Sequence, residues 1–309
     1  MTVRIADIWL RTPVIAASGT FAYGIEFDDI VSLGKIGAFV TKGLSREPMA
    51  GNEAPRIIET AAGMMNAIGL QNIGVHAFLE TKLPQLRART TCPVIVNVFG
   101  YTVEDYLAVI AALNEAKGIA AYELNVSCPN VKHGGMVFGS DAALLAELVT
   151  HAKKAATRPL IVKLSPNVTS IAEMATAAEQ SGADAISLVN TFLSLAIDVT
   201  TRRPRIANLT GGLSGPAIKP IALRMVYEAA RAVKIPILGM GGITTAEDAV
   251  EFLLAGATAV QVGTASYADP RAVERIAKSL EHWCTRHQVK QVSELTGAMI
   301  TSELVTPAK

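Results

Sequence analysis

The sequence predicts an α/β fold, a (β/α)8 TIM barrel, from three observations. Eight short apolar runs recur along the chain, helix-like segments separate most of them, and a polar residue or glycine stands at or just past the end of each run. Runs that stay apolar on consecutive residues suit parallel strands covered on both faces. One domain over residues 1-309 accommodates them, because the 309-residue chain is 50% apolar and nothing marks a linker. A doubly wound open sheet is the alternative, but no GxGxxG follows an early strand to support it.

A short β segment, Val3 to Leu10, comes first. The runs are then Val14 to Ala17, Ala38 to Val40, Val94 to Val98, Tyr122 to Val126, Leu160 to Leu164, Ala185 to Val189, Ile237 to Met240 and Ala259 to Val262. Between them, Thr102 and Asp105 are placed to cap a helix carrying Leu107, Ile110 and Leu113, which Gly118 ends. Ile171, Met174, Ala175 and Ala178 share one helical face, with Gly182 as the C-terminal cap. Thr244 and Glu247 read as a capping box ahead of Phe252 to Leu254, with Gly256 as the stop. Two connections exceed simple loops: Gly43 to Gly74 after the second strand and Asn190 to Pro220 after the sixth. Long insertions on a barrel usually carry function.

The strand ends read Ser18, Lys42, Asn97, Asn125, Lys163, Asn190, Gly241 and Gly263. Solvent-facing strand ends are polar anyway, yet lysines and asparagines in this number suit a polar, partly anionic ligand. The turns Gly239 to Ile243 and Gly263-Thr264 follow strands seven and eight, where barrels commonly bind phosphate, and Gly211 to Gly215 offers further backbone donors. Each glycine group alone also fits an ordinary turn.

The stretch Ala121 to Asn130, AYELNVSCPN, alternates as a strand, with Tyr122, Leu124 and Val126 on one side and Glu123 and Asn125 on the other. Pro129 breaks the pattern and leaves Cys128 just past the strand end among polar neighbours, which favours a functional thiol over a packing one. Cys92 and Cys284 read as small buried hydrophobes. Three scattered cysteines and five histidines without ligand spacing argue against a disulfide framework, an iron-sulfur cluster or a metal site in this chain. With 28 basic and 27 acidic residues and no basic stripe, nucleic acid is not an expected partner. The scattered, odd-numbered cysteines make a reducing cytoplasm the expected setting, and the charged start MTVRIADIWLRTP reads as neither a signal peptide nor a membrane span.

At these residues the chain resembles the class 1 dihydroorotate dehydrogenases, over nearly its whole length. The motifs are TKGLS at Thr41 to Ser45, GMMNAIGLQN at Gly63 to Asn72, NVSCPN, VNT at Val189 to Thr191, GGLSG at Gly211 to Gly215 and GMGGI at Gly239 to Ile243. Ile73 stands where the family often has proline, and VKHGGMVFG after NVSCPN is similar to the class 1B catalytic subunits. The resemblance implies oxidation of dihydroorotate to orotate in pyrimidine biosynthesis, with one FMN per chain held by Ser18, Lys42, Gly43, Asn97, Asn125, Lys163, Val189, Gly215, Gly241, Gly242, Gly263 and Thr264. It places substrate on Lys42, on Asn66, Ala67, Ile68, Gly69 and Leu70, and on Asn125, Asn190 and Thr191, with Cys128 as the catalytic base. It further implies a homodimer within a heterotetramer, in which a partner subunit carrying FAD and a 2Fe-2S cluster passes electrons to NAD. Too few cysteines for a cluster in this chain agree with that division of labour. The segment 131-140, with Gly134, Gly135 and Gly139, reads equally as a lid and as an ordinary loop. A dihydropyrimidine dehydrogenase-type flavoprotein and a non-redox phosphate-binding barrel stay open as alternatives.

Overall fold

The computed structural model describes residues 1–126 and 138–301. The chain opens with an antiparallel hairpin, β1 (Val3–Ile5) and β2 (Ile8–Leu10), in which Val3 pairs with Leu10. The first two barrel strands follow, β3 (Val14–Ala16) and β4 (Ala38–Val40). The first insertion holds a second hairpin, β5 (Ile57–Thr60) and β6 (Gly63–Asn66). It leads into α1 (Val75–Ala77), a π-helical turn at Phe78–Lys82, and α2 (Leu83–Arg89).

Strand and helix then alternate. They run β7 (Val94–Val98), α3 (Val103–Asn114), β8 (Ala121–Asn125), α4 (Ala142–Ala155), β9 (Leu160–Lys163), α5 (Ile171–Gln180) and β10 (Ala185–Leu188). The second insertion contributes β11 (Phe192–Leu195), β12 (Ile197–Asp198), β13 (Arg203–Pro204) and β14 (Thr210–Ser214). The chain resumes its alternation with α6 (Lys219–Ala232), β15 (Ile237–Met240), α7 (Ala246–Leu254), β16 (Ala259–Val262), α8 (Ala265–Ala268) and α9 (Ala272–Arg286).

Eight parallel strands close in the order β10-β15-β16-β3-β4-β7-β8-β9, so the expected (β/α)8 barrel is present with its strands where the apolar runs lie. The barrel strands are buried along their length because helices cover the outside, and one continuous apolar cluster joins the two layers. At roughly 1.5–3 kcal/mol for each fully buried Val, Leu or Ile, that cluster is the main source of stability.

The predicted helix signals mostly hold. Thr102 caps α3 with Asp105 in a reciprocal box, although the helix stops at Asn114, ahead of Gly118. Gly182 and Gly256 follow α5 and α7 at φ 98° and φ 118°, a conformation that favours glycine at a helix stop. One expectation is corrected. The capping box of α7 is formed by Thr245 and Asp248, not by Thr244 and Glu247, because the helix begins one residue later than the sequence signal suggested. Asp248 Oδ2 accepts from Thr244 N at 2.8 Å, Thr244 Oγ1 at 2.8 Å and Thr245 N at 2.9 Å, while Oδ1 takes Lys219 Nζ at 2.7 Å. One carboxylate therefore ties the turn after β15 to the start of α6.

The long insertions are not irregular loops. They meet in a second sheet of order β11-β14-β6-β5, in which Gly212 pairs with Asn66 and Ser214 with Met64. A small apolar cluster of Met65, Ala67 and Ile206 supports it, separate from the barrel core. The close approach of the strands requires Gly212, since a Cβ there would lie 1.9 Å from Thr191 Oγ1.

Two outcomes follow. Burial pushes the Asp248 carboxyl up, but Lys219 and the Thr244 and Thr245 donors outweigh it and hold the group at about 2. Its stabilisation is present above the ordinary carboxylate value near 4 and is lost as pH falls through about 2. Asp248→Asn should lower stability by about 1–3 kcal/mol at pH 7 in urea unfolding, with the deficit shrinking below pH 4; a pH-independent deficit would contradict the assignment. Gly212→Ala should destabilise the chain by about 1–3 kcal/mol through overpacking, read as a lowered melting temperature, and an unchanged melting temperature would contradict the contact.

Candidate active site

The antiparallel sheet stands at the carboxyl ends of the barrel strands and encloses a cavity of about 440 Å³. The strand ends supply its base. Ser18, Lys42, Asn125, Lys163, Asn190, Gly241 and Gly263 all line it, joined by Gly43, Val189, Gly215, Gly242 and Thr264. From the sheet and the chain beside it come Asn66, Ala67, Ile68, Gly69 and Leu70, with Thr191 beside Gly212. The structure thus brings together all but two of the residues singled out from the sequence. Asn97 is the first exception: it is fully buried beneath the cavity, and a Cβ on Gly43 would lie 2.7 Å from its Oδ1. Cys128 is the second. It lies with His133 and most of the segment 131-140 outside the described residues.

Strand register explains why these side chains converge. Asn125 on β8 and Ser187 on β10 both stand opposite Lys163 on β9, so their side chains share the inward face at the top of the barrel. Ser18 donates to Thr41 O at 2.7 Å, which ties the ends of the first two barrel strands together. The Tyr106 hydroxyl donates to Asn125 O at 2.8 Å and holds the end of β8 against α3.

Electrostatically the cavity is one-sided. Lys42, Arg56 and Lys163 line it and no Asp or Glu does, among the described residues. Lys163 is 5% exposed and makes no ion pair among the described residues. Burial first, and the Arg56 guanidinium second, pull the Lys42 ammonium below its ordinary value. A buried lysine without an ion-pair partner among the described residues, beside two half-buried cations, favours an anionic ligand, which would repay its desolvation. The N–H groups of Gly242, Gly263 and Thr264, which also line the cavity, find no acceptor among the described residues, as a phosphate site requires. Thr264 Oγ1 donates to Ser214 Oγ at 2.8 Å and joins this corner to the sheet.

Sequence reasoning missed several residues. Arg56 sits in the first insertion, where no periodic signal marks it, and it is held by Asn52 O at 3.0 Å and Gln71 Oε1 at 2.6 Å. Asn167 accepts from Leu193 N at 3.0 Å and donates to Thr191 O at 3.1 Å, which positions the chain after β10. Glu123, Ser187 and Gln261 are buried inside the barrel, and their signal was available, since each interrupts an apolar strand. Burial pushes the Cys92 thiol up to about 12 and also raises Cys284, so both are inert packing groups, as expected. No described helix is long and apolar enough to cross a membrane.

Comparison with known proteins adds independent weight. The sequence model described as dihydroorotate dehydrogenase matches residues 1–284. A Solibacter usitatus protein, provisionally named dihydroorotate dehydrogenase A (fumarate), is 60% identical over 299 residues, covering 97% of this chain and 98% of the relative. Proteins of Pelobacter propionicus and Geobacter sulfurreducens, each named dihydroorotate dehydrogenase B (NAD(+)), catalytic subunit, are 56% identical over 299 residues with the same 97% and 98% coverage. With a barrel whose cavity gathers the motif residues, and identity above one half across nearly its full length, this chain belongs to the dihydroorotate dehydrogenase family.

Proposed function

We infer that the chain is an FMN-dependent catalytic subunit that oxidises dihydroorotate to orotate in pyrimidine biosynthesis. The observation that carries this reading is the cavity with three cations and no carboxylate at the carboxyl ends of the strands, among the described residues. Dihydroorotate offers a carboxylate and ring amides, and FMN offers a phosphate and a ring edge that becomes anionic on reduction. Both chemistries match the groups present. When bound, FMN supplies the two-electron acceptor that no side chain can provide.

The chain's own residues divide the remaining work. Gly242, Gly263 and Thr264, with Gly215 and Gly241 beside them, would hold the phosphate through backbone N–H groups. Lys163 would stabilise negative charge on the ring edge, and Ser18, Gly43, Asn97, Asn125 and Val189 would complete the FMN site. Lys42 would pair with the substrate carboxylate, while Asn66, Asn125, Asn190 and Thr191 hold the ring amides. Ala67 to Leu70 would exclude water over the ring. Cys128 would take the proton from the substrate carbon. A thiol with an ordinary pKa near 8.5 is a competent base when nearby cations favour its thiolate.

Electrons would leave through a partner subunit to NAD. The names of the relatives divide between fumarate and NAD(+), and the NAD(+) names speak of a catalytic subunit, which supports a second chain in that assembly. The three cysteines of this chain are too few for a 2Fe-2S cluster, so that cluster and FAD would reside in the partner.

Anaerobic addition of dihydroorotate to the purified, FMN-loaded chain should bleach the flavin band. A band that dihydroorotate leaves intact but dihydrouracil bleaches would overturn the substrate assignment. Reoxidation of the reduced chain by fumarate, without a partner, would overturn the acceptor. Cys128→Ala should retain FMN while turnover falls about 10²–10⁴-fold, and Cys128→Ser should shift activity to higher pH because a hydroxyl is the weaker acid. Wild-type turnover in Cys128→Ala would remove the base assignment.

A further inference from the structure

Polar side chains in the middle of apolar barrel strands need partners, because burying an amide or a carboxylate alone is costly. Four meet inside this barrel: Asn97 on β7, Glu123 on β8, Ser187 on β10 and Gln261 on β16, each at most 1% exposed. Glu123 is their hub. Its Oε1 accepts from Asn97 Nδ2 at 2.7 Å, and its Oε2 accepts from Ser187 Oγ at 2.8 Å and from Gln261 Nε2 at 2.8 Å. Its oxygens accept from both amides, which turn their NH₂ groups toward it.

Their carbonyl oxygens are left over. Asn97 Oδ1 and Gln261 Oε1 are buried and have no donor among the described residues. Gln261 lines the cavity, and Asn97 Oδ1 lies directly beneath the backbone of Gly43, which also lines it. A hub of this kind is a poor way to stabilise a barrel, since apolar side chains of similar volume usually do as well or better than buried ionic groups. An acceptor left without a donor at the cavity wall, Gln261 Oε1, therefore points to a ligand.

We propose that Glu123 is a positioning residue for the cofactor ring, locking the Gln261 amide with its oxygen as an acceptor toward the cavity, bracing the Asn97 amide under Gly43, and placing a carboxylate beneath that ring. The proposal rests on the FMN reading above. The pyrimidine edge of a flavin carries an imide N–H, a donor that an amide oxygen accepts and an amide NH₂ repels. Ser187 fills a third acceptor position on Glu123 and presents no amide of its own, so it anchors the carboxylate without facing the ligand.

The experiment uses the apoprotein, titrated with FMN by quenching of flavin fluorescence, and then the two-electron midpoint potential of the loaded protein. Glu123→Gln offers one acceptor oxygen and one NH₂, so it cannot orient both amides as before. Its FMN dissociation constant should rise tenfold or more, and its potential should move positive, because a negative charge has left the neighbourhood of a ring that gains electrons. The exchange variant Glu123→Gln with Gln261→Glu restores a donor–acceptor pair and an outward oxygen. It should recover affinity to within about threefold, with a potential below that of wild type because the charge has moved closer to the ring. Ser187→Ala should bind FMN within about threefold of wild type.

A wild-type apoprotein that does not bind FMN would sink the cofactor reading and this inference with it. Tight FMN binding by wild type with unchanged affinity and potential in Glu123→Gln would sink this inference alone. Lost affinity without a change in potential would mark Glu123 as merely structural. If thermal melting shows that the single variant does not fold, the exchange variant decides, and a wild-type potential there overturns the proposal.

Discussion

Closure of eight parallel strands is the constraint on which everything else in this chain depends. Once β10 pairs with both β9 and β15, no edge remains, and the period of two along each strand commits alternate side chains to the barrel axis. Toward the carboxyl ends those positions are Asn97, Glu123, Asn125, Lys163, Ser187 and Gln261, so closure concentrates amides, a carboxylate and a lysine in one place. The helices supply the apolar counterweight. Their faces and the outward strand residues form the continuous core that allows such a polar layer to exist.

Much of this architecture was legible in the sequence. Parallel strands buried on both faces read as short, mostly apolar runs, and those runs located all eight of them. Helix stops at Gly182 and Gly256 were equally readable, because a backbone at positive φ restricts the choice of residue. The start of α7 was not. Thr244 and Thr245 are adjacent, chemically alike and both donate to the Asp248 carboxylate, and only the Asp248 N–H, which donates to Thr245 Oγ1, marks Thr245 as the cap.

The insertions were legible as functional and illegible as structure. Antiparallel pairing between β6 and β14 joins residues about 150 positions apart, and no local pattern reports a partner at that distance. The glycines of GGLSG look like turn or phosphate-loop residues, yet Gly212 serves a strand that must pass close to Thr191. Arg56 was invisible for the same reason, since its place at the cavity depends on the hairpin that carries it. By contrast Glu123 and Gln261 announced themselves as polar breaks in apolar strands. What the pattern alone could not supply was that they touch each other.

The second sheet divides the cavity between two bodies of different cohesion. Its small cluster of Met65, Ala67 and Ile206 is separate from the barrel's apolar mass, and backbone ladders, Phe192 against the barrel core and the Thr264–Ser214 bond do the rest of the holding. Segments with little buried apolar contact open at a lower free-energy cost than the core of the same protein. Parting the cover from the barrel would therefore cost less than disrupting the rim below it. Access to the cavity would then be set by the cohesion of this small sheet rather than by that of the whole fold.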